Sequence, residues 1–147
     1  MKGSGDEDTE FDLRADVFKN GALVGSGQLN NVSGGGPGVG NAILRSISLA
    51  FSASNVTLVT GDTLSIRLSV RISATDHRAT ARLWFNDSKV DSRFDAPING
   101  VNTNFYLRDG SVLTTTLGPG PPKKIDVSAD PGNNTFQPFG TWSFTQP

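Results

Sequence analysis

Three groups of residues in this chain are of types that could do chemistry. They are a lone histidine beside an aspartate, an oxygen-rich run near the C-terminus, and aromatic residues alternating with arginines. His77 lies in Ala74-Thr75-Asp76-His77-Arg78, a short polar stretch between two apolar-alternating segments. A nucleophilic triad needs a carboxylate that orients the ring from a distance and a serine on a strained turn. Asp76 is adjacent in sequence and no serine has that setting, so His77 reads as an exposed turn histidine. The chain has no cysteine, which removes disulfides, thiolate metal sites and cysteine nucleophiles. One histidine without cysteine also makes a zinc site a poor fit.

Carboxylates are plentiful, but Glu7 and Glu10 fall in the acidic N-terminal run, and Asp12 and Asp16 alternate with apolar residues on the polar face of a strand. Glycoside cleavage needs a carboxyl withdrawn into a cleft opposite a second one. The sequence shows no such arrangement, and the expectation is a protein that is not an enzyme. Calcium is the one cofactor with a signal. Asp126, Ser128, Asp130 and Asn133 place oxygen-bearing side chains near alternate positions, as in loops that wrap a hard cation. Pro131 displaces the glycine to position 132 and no glutamate closes the run, so a structural calcium stands beside a plainer reading, a turn bonding its own backbone. A bond between a lysine and an asparagine side chain needs burial beside an acid. Lys19, Lys89, Lys123 and Lys124 all sit in or next to turns instead.

The aromatic residues give the strongest functional signal. If Leu83 and Phe85 point inward, Trp84 points to the opposite face, and by the same parity Phe105 and Leu107 point in and Tyr106 out. An exposed Trp84 or Tyr106 on a sheet offers the flat apolar surface on which sugar rings stack, with Arg82 for polar contacts. The competing reading has Trp84 covered by a loop or paired with Arg82 through its ring face. Arg14, Arg67, Arg71 and Arg82 oppose Asp12 and Asp16 on polar strand faces. That pattern suits either an acidic-glycan surface or cross-strand ion pairs, and the mixture of signs favours the pairs.

These residues must be positioned by strands. Phe11, Leu13, Ala15 and Val17 alternate with charged residues, and Asn20-Gly21 then signals a tight hairpin into a partner strand from Ala22 to about Asn31. Ile43, Ile47, Leu49 and Phe51 mark a third strand, and Val56 to Val59 a short fourth. The alternation is clearest from Leu64 to Ser73 and continues from Ala79 to Phe85. Shorter strands at Phe105 to Leu107 and Val112 to Leu117 flank Asp109-Gly110, and others follow at Ile125 to Val127 and Thr141 to Thr145. Phe94 and Phe105 are expected to plug the sandwich edge, and Phe136, Phe139 and Trp142 to fold the C-terminal part onto the core. No segment has a capped 3.6-residue period. The expectation is an all-β, two-layer antiparallel sandwich, jelly-roll or immunoglobulin-like, with eight or nine strands. Residues 1–10 read as a flexible acidic segment, Lys2 to Gly5 as linker, and 11–147 as one domain.

Composition agrees with many turns: 17 Gly, 8 Pro, 35% apolar and 18% charged residues. A net charge of −1 without a basic tail argues against nucleic acid, and no apolar run reaches the length of a membrane helix. Glycine-rich Ser33 to Gly40 lacks the Gly-Lys-Ser/Thr ending and following helix of a phosphate loop.

The motifs Arg82-Leu83-Trp84-Phe85, Ser92-Arg93-Phe94, Phe105-Tyr106-Leu107 and Phe139-Gly140-Thr141-Trp142-Ser143 together resemble an all-β domain, immunoglobulin-like or jelly-roll-like, of large bacterial secreted or cell-surface proteins. The opening Phe11-Asp12-Leu13-Arg14-Ala15, Lys19-Asn20-Gly21 and Gly27-Gln28 are similar to the same domain's first hairpin. The resemblance implies a secreted, extracellular setting beside adhesive modules and carries over no catalytic residues. Such domains often have cysteines in their loops, and this chain has none. The functional expectation is a non-catalytic binding module for carbohydrate or another cell-surface ligand, with Trp84, Tyr106 and Arg82 as contacts. The alternative is a structural or adhesive subunit that self-associates through edge strands.

Overall fold

A computed structural model of the chain describes all residues except 6–8, 37, 75–77, 88–91, 117–119 and 131–134. The strongest alternation in the sequence becomes the centre of the structure. β2 (Glu10–Lys19) and β6 (Thr63–Ala74) pair antiparallel, with Leu13 opposite Val70, Ala15 opposite Leu68 and Val17 opposite Ile66. Because side chains alternate along a strand, this register puts Phe11, Leu13, Ala15 and Val17 on one face with Leu64, Ile66, Leu68, Val70 and Ile72, while Phe18 faces Ser65 on the other. Val17, Leu64 and Val70 are 0% exposed.

β3 (Ala22–Ser33) joins β2 through the expected turn, in which Asn20 and Gly21 both have positive φ (49° and 83°). That is the conformation a two-residue hairpin of this type requires. β12 (Gln137–Thr145) flanks β6 on its other side and places Trp142 opposite Ile66 and Phe144 opposite Leu64. The sheet continues through β10 (Val112–Thr114), β9 (Val101–Arg108) and β8 (Arg93–Ile98), and β5 (Ala50–Phe51) adds to β3. The result is an eight-stranded sheet in the order β5-β3-β2-β6-β12-β10-β9-β8. β10 touches β12 through a single parallel pairing, Val112 with Ser143, and the β8–β9 hairpin beyond it is held to the inner face by side chains, Phe105 meeting Phe144.

The second sheet has four strands in the order β11-β7-β1-β4: β11 (Lys123–Ala129), β7 (Ala79–Phe85), β1 (Lys2–Gly5) and β4 (Ile43–Leu44). Ala79, Ala81, Leu83 and Phe85 are buried against the large sheet. Phe85 meets Trp142 edge-on at 5.6 Å between ring centroids. On the other half of the inner face, Phe105 meets Phe144 at 5.3 Å and stacks on Phe94 at 4.9 Å, which accounts for the edge plug read from sequence. The Trp142 indole N–H donates to the Arg108 carbonyl at 3.1 Å, so this buried ring also satisfies its polar atom.

Several expectations need correction. There are twelve strands among the described residues, more than the eight or nine expected. Lys2–Gly5, read as linker within a flexible segment, forms β1 between β7 and β4, with Gly3 opposite both Leu83 and Ile43. The third strand expected over Ile43 to Phe51 is two short strands in different sheets, joined by a crossing segment that carries Ile47 and Leu49. Val56 to Val59 makes only one bridge, Val56 with Ile98, although Val56 and Leu58 are buried. β8 was not foreseen. Pro97 interrupts its pattern, and proline is tolerated there because β8 lies at the sheet's edge.

The crossing segment explains two glycines of β3. Gly25 and Gly27 lie opposite the buried Val17 and Ala15. A Cβ on Gly25 would come within 2.7 Å of the Phe51 ring, and one on Gly27 would run into the backbone oxygen of Ser48. The crossing segment therefore lies flat on β3 because β3 presents no side chains there. Gly27→Val should lower stability by about 1–3 kcal/mol in urea unfolding, since backbone must move to admit it. Gly40→Ala, where an added Cβ meets nothing within 4 Å, should change stability by less than about 0.5 kcal/mol.

Candidate functional site

The curl of the large sheet leaves the inner face covered by two separate pieces, the small sheet and the β8–β9 hairpin. Between them and the crossing segment lies a cleft of about 610 Å³. Its floor is Ala15, Ile66 and Leu68 of the central strands. Ile47 and Leu49 of the crossing segment and Phe51 of β5 line one side, and Phe94 and Leu107 of the hairpin line the other. Arg45, Ser46, Arg93, Asp95 and Tyr106 complete the lining, together with Met1 and Leu44. The volume is in the range of sites that take small molecules, and the lining combines an apolar floor with comparable polar surface at its rim.

The charge at this cleft is biased positive. Arg93 and Asp95 are both exposed and pair at 3.3 Å. Arg45 is half-buried and is fixed by bonds from its guanidinium to the Ser33 carbonyl at 3.1 Å and hydroxyl at 3.2 Å. The Met1 amino group donates to the Arg45 carbonyl at 2.8 Å. Burial first, and then the like charge of Arg93, hold that amine down to about 6.

Of the residues singled out from sequence, Tyr106 lines this cleft, with the Arg108 guanidinium 5.2 Å from its ring centre. The parity held: Leu83, Phe85, Phe105 and Leu107 are buried, while Trp84 and Tyr106 are half-buried. Trp84 and Arg82 lie on the other face of β7 from Leu83, in the small sheet, so they do not form one platform with Tyr106 on β9. Arg82 is only 16% exposed in its side chain and lies 3.9 Å from Asp126. The Ser92 hydroxyl donates to the Trp84 carbonyl at 2.5 Å and ties the end of β7 to the hairpin.

The oxygen-rich run takes a different form from the loop the sequence suggested. Asp126 and Ser128 are within β11, where they face Arg82 and Thr80 in register. Asp126 accepts from Lys124 at 2.9 Å, Ser128 shares a hydroxyl bond with Thr80 at 3.4 Å, and Asp130 pairs with Arg78 at 2.6 Å. Asn133 lies outside the described residues, as do His77, Asp76, Glu7 and Lys89. Among the described residues no group of three or more metal-binding side chains converges.

Sequence reasoning missed Arg45, Arg93 and Asp95. A signal for the last two was present. Phe94, Ala96 and Ile98 alternate, and Asn99-Gly100 follows with φ of 50° and 81°, the same hairpin signature as Asn20-Gly21. No protein-family model, curated protein or solved structure matches the chain.

On the outer face of the large sheet the expected cross-strand ion pairs are present, but their carboxylates are buried. Asp12 is 5% exposed, accepts from Arg71 Nε at 2.8 Å, and also accepts the Asn31 backbone N–H at 3.0 Å. A buried carboxylate with charge-assisted bonds is worth more than a surface pair. Asp12→Ala should therefore cost about 2 kcal/mol in urea unfolding, whereas Asp130→Ala, which removes an exposed pair, should leave the transition unchanged.

Proposed function

We propose that the chain is a non-catalytic binding module whose cleft holds a ligand with an apolar body and an anionic end. The cleft itself carries this reading: a floor and sides built from Ala15, Ile47, Leu49, Ile66, Leu68, Phe94 and Leu107, with Arg45 and Arg93 set against the one acid Asp95. A polyhydroxylated sugar set on the floor of Ala15, Ile66 and Leu68 would bury hydroxyls against apolar carbon, at a cost of about 2 kcal/mol or more for each left without a partner. An alkyl or aryl chain has no such cost and gains from removing apolar surface from water. The reading as a binder also draws on Asp95, which is exposed and paired, unlike a carboxyl withdrawn from water for acid catalysis. The extracellular setting rests on the resemblance to bacterial surface domains.

Assembly through edge strands is the weaker alternative. Of the four edge strands among the described residues, β4 and β5 have two residues each, β8 carries Pro97 and β11 begins with Lys123 and Lys124, and short length, proline and lysine all discourage strand addition. Calorimetric titration with decanoate and with decylammonium separates the readings. Decanoate should bind more tightly than decylammonium, and Arg93→Gln should weaken decanoate by roughly tenfold, the loss of one charge-assisted contact. Equal affinity for the two chains, or no binding of either by the folded protein, would overturn the proposal.

A further inference from the structure

The outer face of the large sheet holds a second depression, of about 360 Å³, on the opposite side of β2 and β6 from the cleft. Arg14, Asp16, Arg67, Ser69, Phe136 and Pro138 line it. The Asp16 side chain is 4% exposed and accepts from Arg14 Nε at 3.1 Å and from Arg67 Nη2 at 3.5 Å. Two guanidiniums thus converge on one carboxylate, and the three groups together carry a net charge of +1. A structural ion pair requires only one of these cations.

The two arginines are held differently. Arg14 bonds Asp16 through Nε and donates from Nη1 to the Gln28 side-chain carbonyl at 3.3 Å. Among the described residues Arg67 has the long bond to Asp16 and the Phe18 ring 5.0 Å away, and its side chain is 48% exposed. A guanidinium carries five N–H donors in a planar fork that matches a carboxylate, so Arg67 has donors to offer. Next to this charge is apolar surface. Phe136 is held by Arg71, whose guanidinium lies 4.5 Å from the ring centre and whose own position is fixed by Asp12 at 2.8 Å. Pro138 adds a second apolar surface and Ser69 a hydroxyl.

A carboxylate receptor, an aromatic and proline wall and a hydroxyl within one depression match a ligand with an acid group on a ring that has both apolar C–H and polar O–H edges. We infer that this depression binds a carboxylate-bearing saccharide, its carboxylate taken by Arg67 and Arg14 and its ring set against Phe136 and Pro138. The inference does not depend on the cleft, because the two sites share no lining residue.

The test is a titration of the whole chain with trigalacturonate, with neutral galactotriose and with acetate, at low salt and at physiological ionic strength. Trigalacturonate should bind at least about tenfold more tightly than galactotriose, and the difference should shrink as salt screens the charge. Arg67→Gln should remove that advantage with little change in melting temperature, because Arg14 keeps its bonds to both Asp16 oxygens at 3.1 and 3.2 Å. Arg67→Lys, which keeps the charge but loses the fork, should restore only part of it. Equal binding of the charged and neutral trisaccharides would overturn the inference. So would full affinity in Arg67→Gln, or acetate binding as tightly as trigalacturonate, which would leave a simple anion site.

Discussion

The structure depends on removing one apolar stripe from water. β2, β6 and β12 place Phe11, Leu13, Ala15, Val17, Leu64, Ile66, Leu68, Val70, Ile72, Phe139 and Trp142 on a single face. Burial of such a surface is the main driving force of folding, and the stripe is too long for the four short strands of the second sheet to cover. The chain covers the remainder with the curled β8–β9 hairpin, fixed by the aromatic contacts from Phe94 through Phe105 to Phe144. Two covers attached at different ends meet imperfectly over Ala15, Ile66 and Leu68. The cleft is the consequence, and its positive edge comes from Arg45 and Arg93 on the two elements that border it.

The opposite face of the same strands follows a different logic. Alternation sends Asp12, Arg14, Asp16, Arg67, Ser69 and Arg71 outward, and such a face is ordinarily left to solvent. Here Asp12 and Asp16 are buried beneath the side chains that bond them, while Phe136 and Pro138 lie near Asp16. A carboxylate withdrawn from water must be given hydrogen-bond donors. Arg71 of β6 supplies one to Asp12 and the Asn31 backbone N–H another, while Asp16 is bonded by Arg14 of its own strand and, at longer range, by Arg67 of β6. The register that aligns the core also aligns these charges, since Asp12 faces Arg71 and Asp16 faces Arg67 across β2 and β6.

Much of this architecture was legible from local pattern. The β2–β3 hairpin, β6 and β7 were readable because a period of two and an Asn-Gly pair are short-range signals. The inward and outward assignments around Trp84 and Tyr106 followed from the same parity. The crossing segment was not readable: Ile43, Ile47, Leu49 and Phe51 keep one alternation while the chain passes from the small sheet to the large one. β1 carries only lysine, glycine and serine, so nothing apolar marks it, and its place depends on β7 and β4. The bonds from Arg71 to Asp12 and from Arg67 to Asp16 join residues 59 and 51 apart in sequence, so their pairing is set by the fold. The cleft had no sequence signature at all, because it is a gap between elements and not a motif. Trp84 and Tyr106, both read from sequence as ligand contacts, lie in two different sheets in the structure.

The central claim is that the gap over Ala15, Ile66 and Leu68 is a site that a ligand's apolar body enters. Methyl-labelled protein saturated with decanoate tests it through intermolecular nuclear Overhauser effects. The account predicts contacts from the alkyl protons to the methyls of Ile47, Leu49, Ile66 and Leu68, and none to the exposed Leu23 and Val101. Contacts confined to exposed methyls, with Ile66 and Leu68 untouched, would contradict it.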